Sequence, residues 1–364
     1  MKKITLQILV VFFALPIFSQ NRSVISIPDL KGYVTLKCDF HLHTIFSDGR
    51  VRPDTRVEEA YRQGIDAIAL TDHLEGARDR PDIAFVTNNR SYERAQTKAQ
   101  ELGIILIRGT EISRPMPPGH HNAIFLTDAD EVDKPDWIDA FRAAKAQNAF
   151  IFWNHPGYER HQPDTTLWWP EHTQLLQEGL MHGIEVVNDH DYFPEAHRWC
   201  LEKKLTMLGN SDEHDPSFMA PGKHRAMTLV FARSATPEGI REALNERRTA
   251  VYLKEYIIGE EKYLKELFEN AIEWKVDKMD DGVRITIQNN SDLTFRLKKT
   301  SSDPRLIYFR NVTPITPHTL LPNRELSFTV KMRGGIKSGD VNFVVENFLV
   351  QPNKGMIYSM RVEN

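Results

Sequence analysis

Cysteine is scarce in this chain, basic charge is in no excess, and no long apolar run follows residues 1–20. Only Cys38 and Cys200 occur among 364 residues, which excludes a disulfide framework and leaves both thiols reading as buried apolar groups. An exported chain permits a bridge between them, but nothing in the sequence argues for one. Lys and Arg number 46 against 50 Asp and Glu, so no overall field draws the protein onto nucleic acid or anionic lipid. Any charge that binds an anion must be local. The apolar run from Ile8 to Phe18 is too short and poorly flanked for a transmembrane span. With Lys2 and Lys3 before it and small polar residues before Asn21, it reads as a signal peptide over residues 1–20, an uncleaved anchor being the alternative. An exported protein, periplasmic or secreted, is expected. No cysteine near the cleavage region supports a lipoprotein anchor.

What the chain does contain is a long alternation of short apolar runs and helical stretches. At 364 residues one large domain and a smaller one are expected. From Tyr33 to about Tyr252, YVTLKCDF is followed by TRVEEAYRQG, IDAIALTDH by SYERAQTKAQELG, and so on to RAMTLVFA and PEGIREALNERR. Repeated units of this kind predict a parallel sheet, and their number predicts an α/β barrel. After the charged helical run EEKYLKELFENAIEW the composition changes. VRITIQNN, RLIYF, LSFTVKM and VNFVVENFLV are separated by Asn, Asp, Gly and Pro, the pattern of a small all-β sandwich of immunoglobulin-like size. The expected boundaries are 1–20 for the signal peptide, 21–255 for the barrel, 256–274 for a helical linker and 275–364 for the sandwich.

The 14 histidines are concentrated beside Asp, Pro or another His in short apolar runs. The strongest signal is DFHLHTIFSDG, from Asp39 to Gly49. His41 and His43 are two apart, so on a strand both imidazoles face one side and can grip one ion. Asp48 returns from the following loop. Later strands end at Asp72 and His73, at Glu111, at His155, and at Asp212 and His214. In a barrel those carboxyl ends converge on one face. His120 in GHHNAIFL belongs with them, and His121 is its rival. Imidazole and carboxylate without thiolate suit Zn, Mn or Fe better than an all-oxygen Ca or Mg cage would.

In order and spacing, HLHTIFSDG, TDH, GTE, NHP and SDEH resemble the motifs of the PHP (polymerase and histidinol phosphatase) superfamily over residues 33–252. GHHNAIFL, HRAMTLVFA and the β-rich tail resemble its bacterial phosphodiesterase branch called Sb-PDE. The resemblance implies a distorted (β/α)7 TIM-like barrel holding two or three divalent ions. One ion takes His41, His43, Glu111 and Asp212, a second Glu111, His120 and His155, and a third Asp48, His73 and His214. Some family members carry His where this chain has Asp48. The implied chemistry is attack on phosphorus by a metal-bridging hydroxide, with Glu111 as bridging carboxylate and Asp72 and Asp212 as further catalytic carboxylates, Asp72 by orienting His73 or a ligand water.

Arg114, Arg225 and Arg248 lie beyond strand or helix ends near the motifs, which makes them candidate phosphate clamps against a competing role in surface solvation. Glu185 and Asn188, at the end of GIEVVN, are candidate substrate contacts. Glu213 should face away, since Asp212 and His214 alternate with it. His190, His197 and His224 read as ordinary polar residues, and Trp168 and Trp169 as a pocket wall or as packing in a long loop. The expected function is hydrolysis of a small phosphodiester by an exported enzyme. A phosphomonoesterase of the histidinol-phosphatase kind would need denser positive charge. Hydrolysis of a carboxylic or carbamate ester, or a metal-binding scaffold with an envelope- or glycan-binding tail, are further alternatives. No polymerase partner or transmembrane domain is expected. The sequence leaves the oligomeric state and the exact substrate open.

Overall fold

Strands that read as continuous apolar runs become inner strands, because both of their faces are covered. A computed structural model describes residues 21–74, 87–220, 222–300, 303–310, 313–314 and 318–364, and the expected signal peptide lies outside these. The strands of the large domain are β1 (Val34–Asp39), β2 (Ala67–Leu70), β3 (Ile105–Ile112), β4 (His121–Ile124), β5 (Phe150–Trp153), β6 (Gly183–Asn188), β7 (Asp191–Tyr192), β8 (Thr206–Asn210), β9 (Met227–Ala232), β10 (Thr249–Leu253) and β11 (Tyr256–Gly259). Between them lie helices α1 (Pro53–Arg62), α2 (Arg90–Leu102), α3 (Trp137–Ala146), α4 (Pro170–Gln177), α5 (Pro194–Lys203) and α6 (Pro237–Asn245).

The sheet runs β11-β10-β9-β1-β2-β3-β4-β5-β6, with β7 and β8 both pairing β6. Strands β1, β2 and β3 are parallel, as are β5, β6 and β8. However, β4 is antiparallel to both neighbours and β9 is antiparallel to β1 and β10, which corrects the expectation of a wholly parallel sheet. Both exceptions follow a loop, so neither is reached by the crossover helix that keeps successive strands parallel.

Curvature carries β8 round to β9 and β10, where side chains bridge the seam in place of a ladder. Thr228 Oγ1 accepts from Gly209 N at 3.0 Å and donates to Gly209 O at 2.9 Å, while Thr249 Oγ1 donates to Met207 O at 2.8 Å. Gly209 is required there, because a Cβ would collide with the Val251 side chain. Ile240, Ala243 and Leu244 of helix α6 share one buried apolar cluster with Leu36, Cys38, Phe152 and Leu208. Cys38 and Cys200 are free and buried.

Helix α7 (Glu261–Ala271) leads into β12 (Ile272–Met279), β13 (Gly282–Asn289), β14 (Phe295–Lys299), β15 (Leu306–Arg310), β16 (Thr313–Pro314), β17 (His318–Leu320), β18 (Glu325–Met332), β19 (Ser338–Gln351) and β20 (Lys354–Glu363). One sheet has the order β12-β13-β18-β15-β16. The other, β17-β14-β19 with β20 on β19, does not stop at the domain boundary. β19 also runs parallel to β11, with Ile257 opposite Phe348 and Ile258 opposite Leu349, so barrel and sandwich share one sheet. Buried Asn347 fastens the join. Its side chain donates to Thr294 O at 2.7 Å and to Glu255 O, and accepts from Arg296 N at 2.9 Å. The linker expected at 256–274 is corrected accordingly. Tyr256–Gly259 is a strand, α7 buries Leu264, Leu267, Phe268 and Ala271, and Ile272 already opens the sandwich.

Candidate metal centre

Each candidate ligand is delivered by a strand end and then held by a neighbour. Beyond β1, the turn carrying Asp48 folds back tightly, since a Cβ on Gly49 would lie 2.7 Å from the His43 carbonyl carbon and Thr44 N. Asp72 secures that turn by accepting from Thr44 N, Thr44 Oγ1 and Ser47 Oγ, each at 2.7 Å. His155 and Asp212 stand in left-handed backbone conformations, with φ of 31° and 53°. Such strain concentrates at functional sites.

Glu111 lies at the centre and is fully buried. Its Oε1 is 3.0 Å from His120 Nδ1 and 3.5 Å from His155 Nε2, and its Oε2 is 2.7 Å from His73 Nδ1 and 3.6 Å from His43 Nε2. Asn154 Nδ2 donates to Oε1 at 2.8 Å. Asp212 Oδ1 is 3.1 Å from His41 Nε2 and 3.0 Å from His43 Nε2. Asp48 Oδ1 and Oδ2 lie 3.3 Å from His214 Nε2 and 3.4 Å from His73 Nε2. His43 stacks on His214 with ring centroids 4.0 Å apart. The Asp48 end is the open one, with Asp48 57% and His214 35% exposed.

The donor atoms form interlocking groups, within each of which they lie no more than 4.8 Å apart: His41, His43 and Asp212; His41, Glu111 and His155; His73, Glu111 and His120; and His43, Asp48, His73 and His214. The partition implied by the family resemblance differs in that His43 joins the Asp48 group and His120 and His155 fall in separate groups around Glu111. Glu111 Oε2 and Asp212 Oδ1 are buried without a partner in hydrogen-bond geometry, although imidazole nitrogens stand close by. Donor atoms converging in this way, all nitrogen or oxygen, suit divalent cations.

The electrostatics point the same way. Burial would favour the neutral acid of Glu111, but His73, His120 and His41 hold it well below the usual carboxylate range. Asp212 is likewise held down against its burial by His41 and His43. Burial disfavours charge on His73, yet Glu111 and Asp48 raise it to about 11. His41, His155 and His214 are raised against burial by their carboxylate neighbours, whereas burial lowers His43.

The other expected site residues fare unequally. His120 faces Glu111, whereas His121 turns into the core between Phe141 and Trp153. Asp72 holds the loop, both its oxygens accepting from Thr44 and Ser47. Arg225 is not positioned as a phosphate clamp. It is buried and donates to Asp39 Oδ2 at 3.0 Å and Gln63 Oε1 at 2.7 Å. Arg248 is bound to Phe231 O at 3.1 Å and to Glu242, and Arg114 donates to Lys134 O at 2.8 Å. These long-range partners cannot be read from sequence adjacency. Asn188 donates to Glu185 Oε2 at 2.9 Å and Asp212 Oδ2 at 3.3 Å, which orients a ligand. Glu185 is fully buried, 2.9 Å from His41 Nδ1, and accepts from His155 N at 2.8 Å and Asn210 Nδ2 at 2.9 Å. Sequence reasoning missed Asn154, Ser113 and His161. Ser113 Oγ lies 2.6 Å from His73 Nδ1, and the His161 ring meets that of His120 edge-on at 4.6 Å. Only Asn154, inside the NHP motif, carried a usable signal.

Residues 39–184 match the PHP domain family, and residues 272–361 match an Ig-like domain family. A solved structure from Bacteroides vulgatus ATCC 8482, named as a two-domain protein containing predicted PHP-like metal-dependent phosphoesterase, is 50% identical. Its TM-score is 0.90 over 94% of this chain and 100% of that one. A 5'-3' exoribonuclease of Haemophilus influenzae is 39% identical over 80 residues, and the match covers 22% of this chain and 24% of the exoribonuclease. The chain thus spans about a quarter of that relative's length.

Proposed function

The chain belongs to the PHP-like metal-dependent phosphoesterases, and from that premise we propose that it hydrolyses small phosphodiesters outside the cytoplasm. Divalent cations held by His41, His43, Glu111, Asp212 and their neighbours would activate water for attack and offset phosphoryl charge. The protein's own contribution is orientation. Glu185 Oε1 stands 2.9 Å from His41 Nδ1, which fixes the ring so that Nε2 faces the cluster and would be the atom offered to a cation. Asn154 fixes the plane of the Glu111 carboxylate. The exposed Asp48 and His214 edge leaves an approach for the ester.

The observation that carries the diester reading is the commitment of Arg114, Arg225 and Arg248 to partners away from the cluster. A terminal monoester brings a second negative charge, for which such cations would be the natural counterpart, while a diester brings one. The stretch shared with an exoribonuclease, an enzyme whose substrate is a phosphodiester, lends support. A small ester rather than a polymer agrees with the net charge of -4. Export rests on Lys2, Lys3 and the apolar run from Ile8 to Phe18.

The test is to strip the protein with chelator, reload it with Mn or Zn, and assay bis-p-nitrophenyl phosphate, p-nitrophenyl phosphate and p-nitrophenyl acetate in parallel. The expected result is diester turnover that is lost with the metal and regained on reloading. Preferential cleavage of the monoester or the carboxylate ester would overturn the diester reading.

A further inference from the structure

The loop between β5 and α4 is built to hold one imidazole over the cluster. Its turn closes on itself, with Tyr158 N donating to His155 O and His161 N to Tyr158 O, both at 2.9 Å. Buried Gln162 clamps both arms: its Nε2 donates to Pro156 O at 2.7 Å, and its Oε1 accepts from Leu167 N at 2.8 Å and Trp169 Nε1 at 3.2 Å. His161, the residue before this clamp, has its ring centroid 4.6 Å from that of His120 and 5.8 Å from that of His155.

Two histidines that serve packing have a ring nitrogen engaged with backbone, His172 with Pro118 O at 2.8 Å and His182 with Ile151 N at 2.9 Å. The His161 ring makes no side-chain hydrogen bond to any described residue, and the residue is partly exposed. It also falls outside every donor group of the cluster. It therefore stands beside the candidate ligands, its ring edge-on to that of His120.

We propose that His161 binds an oxygen of the phosphate ester through a ring N–H, on the side of the site formed by Glu111, His120 and His155. This rests on the phosphoesterase reading given above. His161 is then a substrate-binding residue, and it supplies a directed donor where the arginines do not reach.

The experiment compares the Mn-loaded purified protein with His161→Ala and His161→Gln by metal content, calorimetric binding of inorganic phosphate, and kcat/KM on bis-p-nitrophenyl phosphate. His161→Ala should keep its metal and weaken both phosphate binding and kcat/KM by about 10- to 100-fold, the effect of one hydrogen bond to a charged oxygen. His161→Gln, which retains an N–H donor, should recover much of the loss. Unchanged phosphate affinity in His161→Ala, or metal loss in both variants, would overturn the inference. If the Ala variant does not fold, the Gln variant decides by the same metal criterion and by whether its phosphate affinity exceeds that of His161→Leu. A wild type that binds phosphate but cleaves no diester would sink the functional reading alone, with the phosphate affinities still deciding the role of His161.

Discussion

At the scale of single residues, the behaviour of the cluster is governed by what stands behind each ligand. Glu185 touches His41 and the backbone of His155, so it governs ligands of more than one donor group. Glu185→Gln preserves shape but removes the carboxylate behind His41. Cation affinity should fall about 10- to 100-fold with little change in fold, measurable by competition with a fluorescent chelator. The imidazoles also make binding dependent on pH. His73 is raised to about 11, and His41, His155 and His214 are shifted in the same direction, so the cluster favours bound protons that must leave when a cation binds. Affinity should therefore rise with pH, by up to about tenfold per pH unit for each proton displaced. A titration giving the same affinity from about pH 6 to 8 would contradict this. The candidate ligands that the fold brings together were legible in sequence because each falls within a short motif at a strand end. The commitments of Arg225 and Asp72 were not, because Asp39, Thr44 and Ser47 meet them only in the folded chain.

Among elements, β8 and β9 meet without a strand ladder. Hydroxyls of Thr228 and Thr249 stand in for a strand ladder, and Gly209 permits the approach. Gly209→Ala should push Val251 aside and destabilise the protein by about 1–3 kcal/mol, read as a lower midpoint in urea. A midpoint equal to wild type would mean that the seam can relax. The alternating pattern announced most strands correctly, including β13, β15, β18 and β19. It could not give the direction of β4 or β9, because periodicity reports which face is buried and carries no information about polarity.

For the whole molecule, the parallel contact of β11 with β19 makes the barrel and the Ig-like domain thermodynamically dependent on each other. One apolar cluster runs from Val57 and Ile68 through Ile257 and Phe268 to Phe295 and Phe348 without a break. Calorimetry should give one transition for the full chain, and a chain ending at residue 271 should precipitate or melt well below it. Two well-separated transitions would show that the domains are independent. The change of composition near residue 272 was visible in the sequence. The pairing across it was not, since Ile257 and Phe348 are remote in the chain and each sits in an ordinary apolar run.

The same contact imposes an order on biosynthesis. The segment that completes the β11 edge follows it only after strands β12 to β18, so a growing chain carries that edge bare while these are made, on the order of ten seconds at ordinary elongation rates. Throughout that interval the nascent barrel offers a sticky strand to other nascent chains. Slow translation or a stalled ribosome would therefore harm this protein more through aggregation than through any missing piece of its chemistry.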